Sequence, residues 1–354
     1  MSIFDKIKDA VAKTVDDVNK TVINKLDSAT PTLSVCMMGP RSVGKTTVLT
    51  SIFYEGQSQI CEGSRLYLNA LDNNTAKLTD YHTMLVDAVA KKDAANLPAS
   101  NVMSKFLFGL GIAGRIPSVK ISIQDFPGEY LTSSIQADRD EVYNFMSGAT
   151  VILIAIDTPY LMEENGNYNN EKNKVDIVTH YLRDNSSAVR NKLVLFVPLK
   201  CERYMHEGRI EEVSHKTISV YSELISFFKE NNIASFVTPI ITLGGMEFDK
   251  MVDATLSLSE VSKIANYRSW EKRPEYRPLF CPQPLYYLLT YVANYYDWQQ
   301  KQKKGFFDSI LSSICSFLKK DEDFQLEVRK LAHYILYDKN GFMSVTKNSI
   351  LNLN

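Results

Sequence analysis

Residues Gly39 to Thr46 read Gly-Pro-Arg-Ser-Val-Gly-Lys-Thr and stand between an apolar run, Leu33 to Met38, and a helix-patterned stretch, Thr46 to Phe53. Strand, glycine-rich loop and helix in that order is a phosphate-binding unit, and few folds are built around one. Gly39 and Gly44 let the backbone curl so that the N–H groups of Ser42, Val43, Gly44, Lys45, Thr46 and Thr47 converge on phosphate oxygens. The helix that follows offers its positive dipole end to the same charge. Lys45 is expected to reach the β- and γ-phosphates, and the Thr46 hydroxyl to help hold Mg²⁺, an ion that takes few protein ligands and several waters.

Around that unit, short apolar runs alternate with amphipathic helical stretches, the pattern of βα units about a mostly parallel sheet. Expected strands are 33–38, 104–110, 117–124, 149–157, 192–198 and 235–242, the second and third forming an antiparallel hairpin across the glycine-rich Gly109 to Gly114. Expected helices are 67–95, 132–147, 172–184, 215–231 and 283–302. The fold class is therefore α/β, a P-loop NTPase three-layer sandwich with one antiparallel hairpin strand and helical N- and C-terminal additions. The domain plan is an amphipathic helix over 1–30, a nucleotide domain over 31–300 with a helical insertion near 60–100, and an amphipathic helical extension over 301–354.

Composition narrows the function classes. The 354 residues carry 40 basic and 41 acidic groups, so nothing in the balance suits bulk nucleic-acid binding. Five cysteines, Cys36, Cys61, Cys201, Cys281 and Cys315, are too scattered for a zinc site or a secreted disulfide framework, and no apolar run approaches a membrane span. The expected compartment is the cytoplasm, with peripheral membrane contact as an option. Apolar positions Phe4, Ile7, Val11, Val15, Val18, Val22 and Leu26 make one helical stripe on a neutral segment, which suits docking on protein. Residues 301–320 hold five Lys and one Asp beside a second apolar stripe, and there an anionic membrane surface competes with packing. A further stripe at Phe324, Val328, Leu331 and Ile335 predicts a last helix before a polar tail. The five histidines, His82, His180, His206, His215 and His333, form no metal spacing.

The loop needs a carboxylate to complete a Mg²⁺ site, and Val119 to Asp125 supplies a strand ending in Asp125-Phe126-Pro127-Gly128-Glu129. Asp125 is the candidate metal ligand, and the Gly128 N–H can approach a γ-phosphate because no side chain blocks it. A plain strand-end turn is the alternative, since Pro-Gly is a common turn pair.

These residues resemble the P-loop GTPases: Gly39 to Thr46 matches their first motif and Asp125 to Gly128 their Asp-x-x-Gly, a likeness spanning roughly residues 33–245. The resemblance implies a base-reading motif after a later strand, and Leu199-Lys200-Cys201-Glu202 follows Leu193 to Val197. By that likeness Lys200 stacks its stem on the base and Glu202 accepts from guanine N1–H and N2–H. Leu199 departs from the pattern by lacking the usual amide, Glu202 is one methylene longer than the usual Asp, and an unrelated Lys-x-Glu surface pair is the other reading. The fifth motif falls on Ile241-Thr242-Leu243-Gly244-Gly245, with Leu243 as the residue whose N–H meets the guanine O6. Lys45 and Asp125 lie 125 − 45 = 80 positions apart, so the first switch segment carries an insertion. Ser100 is its candidate Mg²⁺ hydroxyl, against a plain loop serine.

Three residues bear on chemistry. Arg41 occupies a position near the γ-phosphate and is read either as a built-in arginine finger or as a solvent-facing side chain. Ser42 is placed to donate toward the bridging oxygen, as in dynamin-like loops. Glu129 is read as orienting water or acting as a weak base, or as an acid favoured at a helix start. The loops just quoted, with Gln283-Pro284-Leu285 opening a late helix, look like bacterial double-GTPase and related conflict-system GTPases. That likeness implies a GTP-dependent switch for partner proteins, with GTP/GDP and Mg²⁺ as its ligands. The competing expectations are an ATP-using P-loop NTPase and a nucleotide-binding scaffold with negligible turnover.

Overall fold

The computed structural model describes residues 30–40, 42–93, 104–126, 130, 133–257, 260–301 and 319–347. Its body is one eight-stranded sheet between two layers of helices. The strands are β1 Thr32–Met38, β2 Leu66–Ala70, β3 Ser104–Ile112, β4 Val119–Asp125, β5 Val151–Asp157, β6 Leu193–Leu199, β7 Ala234–Val237 and β10 Met343–Thr346, in the order β10-β7-β6-β5-β1-β4-β3-β2. A separate two-stranded sheet joins β8 Glu247–Ser257 to β9 Glu260–Arg268.

The middle of the large sheet is parallel: β1 pairs with β4 and β5, β5 with β6, and β6 with β7. Every residue of β5 and of β6 is buried, as expected of strands covered on both faces, which need continuous rather than alternating apolar sequence. One face packs under the helices Lys45–Gly63, Gln283–Lys301 and Glu322–Leu331, with Val48, Leu49, Tyr287, Tyr291, Phe324 and Val328 in that core. The other face carries Gln136–Gly148, Val175–Asp184, Ile210–Val220 and Ser222–Glu230, centred on Met146, Leu182, Val213, Leu224 and Phe228. The P-loop NTPase sandwich expected from the sequence, with its β3–β4 antiparallel hairpin, is the observed fold.

Several boundaries differ from expectation. The stretch 67–95 is not one helix. Leu66 and Leu68 face inward and pair antiparallel with Ile112 and Leu110, making β2, and the helical part is a short helix, Asn73–Ala76, followed by Leu78–Ala90. The expected helix 215–231 is two, broken at the buried Tyr221. Of the expected strand 235–242 the regular strand ends at Val237, where β10 begins opposite it with Met343, although Thr238 and Ile240 still donate to Phe196 and Pro198 of β6. The tail read as polar adds a strand: β10 runs antiparallel to β7 at the sheet edge, and Ser235 and Thr346 hydroxyls bond across it. Of the cysteines, Cys36, Cys201 and Cys281 are free and buried.

Candidate functional site

Parallel strands end together, and here the shared C-terminal edge gathers the site. Register pairs Met37 of β1 with Asp125 of β4, and Asp157 of β5 with Leu199 of β6, so the phosphate loop, two carboxylates and the Lys200 loop emerge side by side. The loop after β1 turns tightly over β5. A Cβ on Gly39 would sit 2.8 Å from the Ala155 carbonyl oxygen, and Gly44 caps the helix at φ 107°, a left-handed conformation that suits only glycine.

Lys45 opens that helix and is 8% exposed. Its Nζ donates to the carbonyls of Gly39 and Pro40, both at 3.0 Å, and stands 3.5 Å from Asp125 Oδ1. Asp125 is 3% exposed, and among the described residues no hydrogen bond reaches that Oδ1. Burial raises the Asp125 pKa above its ordinary value, and the Lys45 ammonium pulls it back only in part. A buried carboxylate oxygen that accepts no hydrogen bond among the described residues fits a hard cation with oxygen ligands. Asp125 could hold such a cation, with the half-buried Thr46, next to Lys45 in the chain, as the candidate hydroxyl. Val43 is fully buried in the core, leaving only its backbone for a ligand, while Ser42 is exposed and Thr47 half-buried.

At the other end, Lys200 adopts φ 62° and sends its Nζ back to the phosphate loop, donating to the Ser42 carbonyl at 3.1 Å and pairing with Asp157 Oδ2 at 2.7 Å. Asp157 is completely buried, and its own N–H and carbonyl are held by the Asn173 amide at 2.7 and 3.1 Å. Glu202, two residues on, is 7% exposed. Its Oε1 accepts from Leu243 N at 2.6 Å, Thr242 N at 2.8 Å, Thr242 Oγ1 at 3.0 Å and, at the limit, Gly244 N at 3.5 Å. Burial raises its pKa, against the pull of those donors. The Lys200 and 241–245 loops, read from sequence as separate motifs, are one hydrogen-bonded unit. The Leu243 N–H points at Glu202.

The structure thus brings Gly39, Ser42, Val43, Gly44, Lys45, Thr46, Thr47, Asp125, Lys200, Glu202 and Leu243 to one edge. Arg41, Ser100, Gly128 and Glu129 lie outside the described residues, as do 1–29 and most of the basic segment 301–320. Asp157 was missed as a member of the site, and within the fifth motif Leu243 was given a role but Thr242 was not. Asp157 had a signal, a lone acid ending the wholly apolar run Val151 to Ile156. Among the described residues no cluster of His, Cys, Asp and Glu could hold a metal by three such ligands, and no helix is long and apolar enough to cross a membrane.

No family model and no curated protein sequence matches the chain. Among solved structures it is similar to the GTPase-like domain of Saccharomyces cerevisiae Ski7, bound to GTP in one crystal structure and to GDP and inorganic phosphate in another. The identities are 17% and 16% and the TM-scores 0.30 and 0.31. That likeness covers 57% of this chain and 40% of the Ski7 chain, less than half its length. The cytosolic domain of Thermotoga maritima FeoB, in a GDP form, is similar at 12% identity and a TM-score of 0.24 over 86% of this chain and 99% of that one.

Proposed function

We propose that the chain is a Mg²⁺-dependent GTP-binding switch that hydrolyses GTP to GDP and phosphate. The observation that carries this is the tie between the two ends of the site: the Lys200 ammonium bonds the Ser42 carbonyl of the phosphate loop while Glu202 braces the 242–244 loop. A ligand with phosphates at one end and a hydrogen-bonding base at the other suits that span.

On this reading the loop N–H groups and Lys45 neutralise the β- and γ-phosphates, and Lys45 exchanges its bonds to Gly39 and Pro40 for phosphate oxygens. Mg²⁺, held through Thr46 and Asp125, would add charge stabilisation at the same oxygens, with Ser100 as the first-switch hydroxyl. Water attacks the γ-phosphorus as the bond to the β,γ-bridging oxygen breaks, the water proton leaving to solvent or phosphate. Glu129 orients that water, the Gly128 N–H senses the γ-phosphate, and Arg41 offers a cis cation. The Lys200 stem and Glu202 read guanine with the Leu243 N–H. Protein partners read the state of the 125–130 loop, and residues 301–320 supply any membrane contact.

The test is competition of unlabelled GTP and ATP for a bound fluorescent GTP analogue in Mg²⁺, with Lys45→Ala alongside. GTP should displace the probe at least tenfold better than ATP, and Lys45→Ala should bind at least a hundredfold more weakly. Preference for ATP would sink the guanine reading, and unchanged affinity in Lys45→Ala would sink the site.

A further inference from the structure

The β8–β9 sheet is separate from the large sheet that carries the phosphate loop and the Lys200 loop, yet it is fastened to the base end of the site. Arg203, the neighbour of Glu202, donates from Nη1 to the Asp249 carbonyl at 2.9 Å and lies 5.5 Å from the Phe248 ring. Tyr160, three residues past Asp157, donates its hydroxyl to the Lys263 carbonyl at 2.9 Å. Arg268 pairs with Asp249 at 2.8 Å within the sheet. These anchors set Tyr267 with its ring centroid 5.5 Å from Lys200 Nζ. The same ring packs on the cluster of Leu85, Val89, Leu243 and Met246, so it meets both the Lys200 loop and the loop whose Leu243 N–H faces Glu202.

Two polar atoms there lack partners. Tyr267 Oη is buried without a hydrogen bond among the described residues, and so is Asp157 Oδ1, whose sister oxygen holds Lys200. An unpaired buried hydroxyl is destabilising, and a residue used only to fill space would be better as Phe. Burial raises the Tyr267 pKa, and the Asp157 and Glu202 carboxylates add to it, so the hydroxyl stays a donor across the working pH range. The residue as a whole is half-buried, not sealed in the core.

We propose that Tyr267 is a nucleotide-binding residue: its ring walls the base end of the site beside Lys200, and its hydroxyl meets the polar edge of the bound nucleoside. This rests on the nucleotide reading above. A flat ring favours any purine face, so Tyr267 adds affinity without choosing between guanine and adenine, a choice left to Glu202. The β8–β9 sheet is then a working part of the site.

The experiment titrates full-length wild type, Tyr267→Ala, Tyr267→Phe and Tyr267→Trp with a fluorescent GDP analogue, and displaces the probe with GDP and ADP. Tyr267→Ala should weaken GDP and ADP alike by about 5- to 150-fold, the range measured for one base–aromatic stack, while Tyr267→Phe stays within about tenfold of wild type. Tyr267→Trp should bind, and its emission, above the Trp270 and Trp298 background, should be quenched by saturating unlabelled GDP. Unchanged affinity in Tyr267→Ala overturns the proposal. So does a weakened Tyr267→Ala paired with a Tyr267→Trp that binds GDP without any change in emission, because the residue would then act through packing. A wild type that binds neither nucleotide overturns the nucleotide reading itself and this proposal with it, whereas binding by wild type with either Tyr267 failure leaves that reading standing.

Discussion

Glu202 braces the 242–244 loop and, on the proposed reading, also reads the base, two tasks that single substitutions can separate. Its Oε1 satisfies the N–H groups of Thr242 and Leu243 and the Thr242 hydroxyl, all in a buried setting. Glu202→Ala leaves two backbone donors without an acceptor, each costing about 1–3 kcal/mol when buried. Removing a carboxylate whose pKa burial has raised gives some of that back. A net loss of about 2–4 kcal/mol follows, read by differential scanning fluorimetry as roughly 4–8 °C at about 2 °C per kcal/mol for a chain of this size. Glu202→Gln keeps an amide oxygen for the loop and should melt within about 2 °C of wild type. Toward the base, however, it swaps a carboxylate oxygen for an NH₂ facing guanine N–H donors. The loss of about 1.5–3 kcal/mol from a charge-assisted bond weakens GTP by about 10- to 150-fold, with ATP little changed. A Glu202→Ala protein that melts with wild type would refute the bracing argument. A well-folded Glu202→Gln with undiminished GTP affinity would refute the base-reading role.

Asp157→Asn should free Lys200 from its 2.7 Å partner, loosening its hold on the Ser42 carbonyl; the expected result is a fivefold or greater rise in the Kd for nucleotide, measured by the same probe, at a melting temperature within about 3 °C of wild type. Acid stability should depend on Glu327. Burial would raise its pKa, but the Arg65 N–H and the Lys330 and Arg65 side chains, all within 3.0 Å, outweigh that and hold it at about 2. Because the folded value lies below the ordinary 4.5, the stabilisation is present above pH 4.5 and is lost as pH falls toward 2. Urea unfolding of Glu327→Gln should show a flatter loss of stability across that window than wild type, and an identical slope would count against the assignment.

What the sequence revealed and what it hid follows one physical division. The phosphate loop is legible because its conformation is set locally, by Gly39 lying against Ala155 and Gly44 at φ 107°. β5 and β6 are legible because strands buried on both faces need unbroken apolar runs. β2 was hidden because a five-residue alternation, Leu66 to Ala70, runs straight into the helical stripe of Leu78, Leu85 and Val89. β10 was hidden because three of its four residues are only half-buried and its order comes from β7. Tyr267 has no local signature either, since it reaches the site by packing on a segment distant in sequence.

The site satisfies its charged groups with its own atoms, and unevenly. Lys45 rests on the Gly39 and Pro40 carbonyls, Lys200 on Asp157 and the Ser42 carbonyl, and Glu202 on the Thr242 and Leu243 N–H groups. The lysines and Glu202 can therefore wait without a large penalty, and any ligand must displace bonds of nearly equal quality, so its net gain from each is small. Asp125 is less well served. Like Glu202 its pKa is raised by burial, but its Oδ1, like that of Asp157, accepts no hydrogen bond among the described residues, and Lys45 stands 3.5 Å from it. A ligand that brings positive charge to Oδ1 relieves that burial penalty, as protonation does, and the relief adds to the bonds such a ligand makes elsewhere. On the proposed reading, much of the free energy of nucleotide binding then comes from the phosphate end, where Asp125 ends β4 one residue before the loop proposed to sense the γ-phosphate. On the same reading the base end contributes recognition more than tightness, since Glu202 would share one carboxylate between the 242–244 loop and the base.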